Sequence, residues 1–191
     1  MAITGGGSSD LLYSLYNRSV QRGDAIDTGV KLLTTKDATF SIAVDFTNTE
    51  NTTTGDLSKS WHIFEVNSIE GITSSYVYFG KSSTWRDKFS GHWGNTGKDV
   101  SNSNPAPARH RVILIHYAGS DYGWFRYKRN DNETIEVADV NPTYPPFNSL
   151  NQNPLMLGSV VADRALPAGT ITKAEVYNRA LTTDEINAFF A

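Results

Sequence analysis

Two carboxyl groups flanking a sugar linkage, about 5–9.5 Å apart, can hydrolyse a glycoside. On one strand such acids must stand an even number of residues apart to share a face. The nearest approaches here, Glu133-Thr-Ile-Glu136 and Glu136-Val-Ala-Asp139, break that alternation. Asp184 and Glu185 stand where a helix should begin, a position at which acids favour the positive end of the dipole. The histidines are His62, His92, His110 and His116. His110 and His116 fall on one face of a strand but about 20 Å apart, too far to hold one metal ion alone. No serine sits in a G-x-S-x-G elbow. The chain has no cysteine, which excludes disulfides and thiolate metal sites. No catalytic residue is assigned, and the chain is expected not to be an enzyme.

Asp121, Asp131, Asn132 and Asp139 could supply oxygens to calcium, which takes about six to eight. The same residue types form turns. A structural calcium is therefore not favoured, and neither a metal site nor a cofactor is assigned. Sugar recognition is the better match to the residues present. It needs aromatic rings against the apolar face of a pyranose and a few polar groups at the rim. Three stretches offer this: Trp85-Arg86-Asp87 with His92-Trp93, then Tyr122 with Trp124, then Tyr144 among Pro142, Pro145 and Pro146. The candidate ligand-binding set is Trp85, Arg86, Asp87, His92, Trp93, Tyr122, Trp124 and Tyr144. Against this stands burial: Trp93 and Trp124 also suit the cores of two strands, and Trp61 suits a core position more than a site.

The elements that must position these residues are mostly strands. Phe40, Ile42, Val44 and Phe46 alternate with Ser41, Ala43 and Asp45, the pattern of a half-buried strand. Residues 109–117 (RHRVILIHY) are apolar on both faces in the middle, as in a strand covered on both sides. Residues 122–128 should pair with them through a turn at 119–121. Shorter strand patterns lie at 11–16, 25–33, 61–66, 75–79, 134–137, 155–160 and 171–177, whereas 81–104 has weak periodicity. Pro142, Pro145 and Pro146 exclude a central strand in 141–153. Thr182 and Glu185 have capping-box spacing, and Ile186, Phe189 and Phe190 follow on one helical face. The expected fold is all-β: an antiparallel jelly-roll β-sandwich with one short C-terminal helix.

With 191 residues, the chain suits one domain of this class. Residues 1–9, which include Gly5, Gly6 and Gly7, read as a flexible linker, and 10–191 as the sandwich domain. A net charge of −3 with mixed signs argues against a nucleic-acid partner. No apolar run is long enough for membrane insertion. The start MAITGGGSSD lacks the basic and apolar regions of a signal peptide, so an exterior protein would need another route, such as release inside a virus particle. The sequons at Asn17, Asn51 and Asn132 read as chance matches.

AIDTGVKLL, ATFSIAVDF, ARHRVILIHYAGS, PLMLGS and ITKAEVYNRALTTDEINAFF follow one another in an order that resembles the laminin-G-like, concanavalin A-like lectin/glucanase superfamily. The resemblance spans about residues 11–191, and the final piece is its most specific part. The chain lacks the E-x-D-x-x-E strand of the laminarinase-type hydrolases in that superfamily. The early and middle pieces are similar to domains of bacteriophage tail, baseplate or head-fibre proteins. The resemblance thus implies a non-catalytic adhesion domain in a virion or extracellular setting. Its implied partners are a cell-surface polysaccharide or glycan, other virion proteins, and a second copy in a homo-oligomer. The competing expectations are a purely structural or protein-interaction domain on a virus particle and, behind it, a glycoside hydrolase or lyase. Where a relative would carry Asp-Gly after the middle hairpin, this chain has KRNDN at 128–132, so ligand contacts do not transfer by analogy.

Overall fold

The computed structural model describes residues 10–32, 38–49, 61–66, 75–79, 89–93, 96–101, 107–120, 122–131, 133–140, 154–158 and 166–191. The expected linker, 1–9, lies outside them. In chain order the strands are β1 (Leu11–Val20), β2 (Ile26–Asp27), β3 (Phe40–Asn48), β4 (Trp61–Val66), β5 (Ser75–Phe79), β6 (Phe89–Trp93), β7 (Thr96–Ser101), β8 (Ala108–His116), β9 (Gly123–Arg129), β10 (Glu136–Val140), β11 (Met156–Leu157) and β12 (Gly169–Tyr177), followed by helix α1 (Thr183–Phe190). The first sheet runs β1-β12-β3-β8-β9-β10 and the second β2-β11-β4-β5-β6-β7. Every ladder is antiparallel. The expected all-β sandwich with one short helix is what the chain forms.

Period-2 patterning explains the inner layer. Phe40, Ile42, Val44 and Phe46 of β3, Val112 and Leu114 of β8, and Phe125 and Tyr127 of β9 meet Phe64, Leu155 and Leu157 across the interior. The sheets approach closely at Gly91 of β6, where an added Cβ would stand 2.8 Å from the Phe125 ring. Two strands, β6 and β7, arise within 81–104, where the sequence shows little periodicity. Among the described residues of the 25–33 pattern, 25–32, the strand is the two-residue β2.

β3 departs from its half-buried expectation. Phe40 through Phe46 are buried on both faces. The cause is α1, whose Phe190, with Ile186, Phe189 and the preceding Leu181, covers Ala43, Ile113 and Ile115 on the outer side of the first sheet. An outer position that would face water in an open sheet becomes a second small core.

Both ends of α1 are tied to the sheet. At its start the Glu185 amide donates to Thr182 Oγ1 (3.3 Å) and the Thr182 amide donates to Glu185 Oε2 (2.8 Å), completing the capping box. Arg179 clamps the same carboxylate with two bonds of 2.7 Å. That guanidinium, aided by the Thr182 bonds, holds the Glu185 carboxyl down at about 2 against the cost of burial. Ser41 Oγ of β3 donates to the Arg179 carbonyl (2.8 Å) and accepts from the Leu181 amide (3.0 Å), fixing the approach to the helix.

At the far end, helical carbonyls have no intrahelical donor and carry negative partial charge. α1 has no basic residue in its last turn, so the sheet provides the cations. Arg111 Nη1 of β8 donates to Ala191 O (2.8 Å) and Phe189 O (3.4 Å), and Lys128 Nζ of β9 donates to Phe190 O (2.8 Å). Arg111 is fully buried, and its Nη2 also donates to Asp131 (2.9 Å) and the Asn130 carbonyl (3.3 Å). Burial, then the charge of Arg109, push its pKa down; Asp131 and Asp45 oppose this.

Replacing Arg111 with Met keeps the apolar stem but leaves those carbonyls unmet. Arg111→Met should therefore lower unfolding stability by about 1–3 kcal/mol for each buried acceptor stranded, and amide exchange in α1 should accelerate before that in β3. Gly91→Val places a branched side chain against Phe125 and should cost about 1–3 kcal/mol in urea denaturation.

Candidate functional site

The β8–β9 hairpin positions the best-defined surface cluster. The Ser120 amide donates to the Tyr117 carbonyl at 3.0 Å, closing a turn in which Gly119 takes φ +80°, a conformation that favours glycine. The His116 ring bridges Ala38 O (2.6 Å) and Ser120 O (2.9 Å), tying the hairpin base to the start of β3. The Ala118 amide donates to Thr39 Oγ1 (2.9 Å). On this support Trp124 meets Tyr117 edge-on, with centroids 4.9 Å apart, and Tyr122 at a 40° tilt and 5.7 Å. Both tyrosines are 41% exposed. Trp124 is half-buried, its inner part packed on the small core beneath α1. Three rings thus form a ledge at the rim of the helix-covered face.

The ledge has a polar flank. The β9–β10 register sets Asp139 directly opposite Trp124, and Val137 opposite Arg126. Directly opposed residues hold their Cβ atoms about 4.5–5.5 Å apart, so the carboxylate stands beside the indole. Arg126 Nη1 donates to Asp139 Oδ1 (2.7 Å) and to its neighbouring carbonyl, Phe125 O (2.8 Å). Val137 is exposed next to this pair. Tyr117, Arg126 and Val137 were absent from the predicted set. The alternation of 122–128 already aligns Trp124 with Arg126; Tyr117 and Val137 join only through the turn and the register.

Tyr122 and Trp124 come together as expected. His92 and Trp93 lie instead in β6, in the other sheet, so the predicted residues do not converge on one site. Trp85, Arg86, Asp87 and Tyr144 lie outside the described residues. In the second sheet Glu65, Tyr76, His92 and Gly97 fall in one row. A register shift at Ile63 brings His62 Nδ1 within 3.4 Å of Glu65 Oε2, and both side chains are buried.

Several other ionisable groups among the described residues serve the fold. His110 stacks on Tyr127 and bonds its hydroxyl at 2.8 Å inside the sandwich. Burial, with Arg129 adding to it, lowers the His110 pKa to about 3. Burial likewise raises the Tyr127 phenol. On the outer face, burial pushes Glu175 up, but hydrogen bonds from Lys173, Tyr16 and Tyr177 together hold it below the usual carboxylate range. Its bond with Glu175, and burial next, raise Tyr16 to about 12. Glu136 and Asp139, three apart on β10, fall on opposite faces and cannot share a substrate. Asp131 is held by Arg109 (2.8 Å) and Arg111 (2.9 Å). Among the described residues no three His, Asp or Glu gather as metal ligands.

No family model matches the chain, and no curated protein matches it in sequence. Solved structures do match its fold. The CBM40 domain of the Ruminococcus gnavus IT-sialidase, bound to α2,3-sialyllactose, superposes with a TM-score of 0.63 at 15% identity, covering 93% of this chain and 97% of that one. A leech intramolecular trans-sialidase gives 0.65 at 19% identity, over 95% of this chain but 28% of the enzyme. The sialidase of Trypanosoma rangeli gives 0.56 at 16%, over 81% and 23%. The Ruminococcus gnavus neighbour is a CBM40 domain, whereas the other two are whole sialidases of which this chain matches about a quarter. At these identities the likeness establishes the fold.

Acid sensitivity follows from the two shifted groups. His110 takes up a proton near 6.5 once unfolded but only near 3 when folded, so its contribution is lost as pH falls below about 6.5. Glu185, held near 2 in the fold against 4.5, adds a second loss below about 4.5. Melting temperature should therefore decline in two stages from pH 8 to 3. His110→Gln should flatten the upper stage and Glu185→Gln the lower.

Proposed function

We propose that the protein is a non-catalytic carbohydrate-binding domain that adheres to cell-surface glycans through the Tyr117–Trp124–Tyr122 ledge. The observation that carries this reading is an exposed aromatic floor, braced from below by the small core and flanked by an ion pair. Rings of this kind take the apolar face of a pyranose, and Asp139 and Arg126 offer partners to its hydroxyls. Two further observations support it. One structural neighbour matched over nearly its full length is a CBM40 domain seen with sialyllactose, and Glu136 and Asp139, one of the two closest approaches to a paired-acid motif, face opposite ways. The resemblance of DTGVKLL, ATFSIAVDF and RHRVILIHYAGS to phage tail and fibre domains supports a place on a virion or outside the cell, among other virion proteins.

Glycan-array screening followed by calorimetry tests the proposal. Wild type should bind at least one class of cell-surface glycan. Trp124→Ala should weaken binding about tenfold or more, the loss of one ring's burial at about 1.5–3 kcal/mol. Because Trp124 also supports α1, Tyr122→Ala serves as the companion variant; it should weaken binding while leaving the melting temperature near wild type. Silence across surface polysaccharides would favour a purely structural domain, and unchanged affinity in Tyr122→Ala would put the binding away from the ledge.

A further inference from the structure

Resting on that reading, we infer that the ledge selects neutral sugars over carboxylated ones, and that Asp139 is the residue that sets the choice. The argument begins with what stands beside the indole. Asp139, opposite Trp124 in the ladder, presents an acceptor to any sugar stacked on the ring. Its side chain is 43% exposed, so it is open to a ligand. A sugar hydroxyl can donate to it, whereas a sugar carboxylate brought to the same place meets like charge.

Arg126 reduces this repulsion without turning it into attraction. Its Nη1 is committed to Asp139 at 2.7 Å and to Phe125 O at 2.8 Å, which pins the guanidinium to its own strand and neutralises its charge locally. The next cation along β9 on this face, Lys128, is committed to the Phe190 carbonyl at the helix end (2.8 Å). Among the described residues, a carboxylated sugar on the ledge would therefore shed water without gaining an uncompensated cation, and burying a charge that way is costly. A neutral pyranose keeps the stacking and gains the acceptor. The chain would then differ in ligand from its structural neighbour seen with sialyllactose.

Neutral oligosaccharides printed beside their sialylated or uronate-bearing counterparts, with hits titrated by calorimetry, decide the matter. Wild type should bind the neutral member of each pair more tightly. Asp139→Asn removes the repelling charge and releases Arg126, so the ratio of acidic to neutral affinity should rise about tenfold. Arg126→Gln leaves the carboxylate unneutralised and should move the ratio the other way. Wild type preferring the acidic members, or a ratio unmoved in both variants, would overturn the inference while leaving glycan binding intact. Absence of binding to any member by all three proteins would instead remove the glycan reading, and this inference with it.

Discussion

The structure turns on one buried cation. Arg111 sits in the middle of β8 with no exposed surface, and its guanidinium reaches outward to the last carbonyls of a helix that has no basic residue of its own there. A desolvated arginine is costly unless its donors are met. Here Ala191, Phe189, Asn130 and Asp131 meet its two terminal nitrogens, while Nε stays without a partner. The same contacts that make the charge tolerable also dock the helix. Lys128 repeats the arrangement one strand away.

Much else follows from that docking. With α1 in place, Ala43, Ile113 and Ile115 acquire a cover and the central strands become buried on both sides. The cover ends at β9, and there Trp124 is half sheltered and half presented. The ledge is thus the boundary of the second core. A ring held from beneath loses little freedom on binding, which favours a fixed contact surface over an adaptable one.

What the sequence made legible, and what it did not, divides along physical lines. The capping box of Thr182 and Glu185 was readable because it is local, as was the doubly covered 109–117 segment, whose apolar run has no polar alternation. The second core was hidden in Ala43 and Ser41. One is too small and the other too polar to announce burial, and only the helix gives them their partners. β6 and β7 were missed because Gly91, Gly97 and the polar residues around them carry no periodic signal; Gly91 is there to admit Phe125, a contact between residues far apart in the chain. The candidate ledge was half legible. Tyr122 and Trp124 were found by type, but Asp139 and Tyr117 join them through register and turn geometry, and His92 and Trp93 belong to another sheet.

The account makes the ledge an adhesive surface and gives the buried histidines and paired carboxylates structural duties. A crystal structure of the protein with an oligosaccharide identified by array screening tests this most directly. The account predicts a pyranose ring lying over Trp124, between Tyr117 and Tyr122, with a hydroxyl on Asp139. A sugar bound instead along the row of Glu65, Tyr76 and His92 on the second sheet would contradict it.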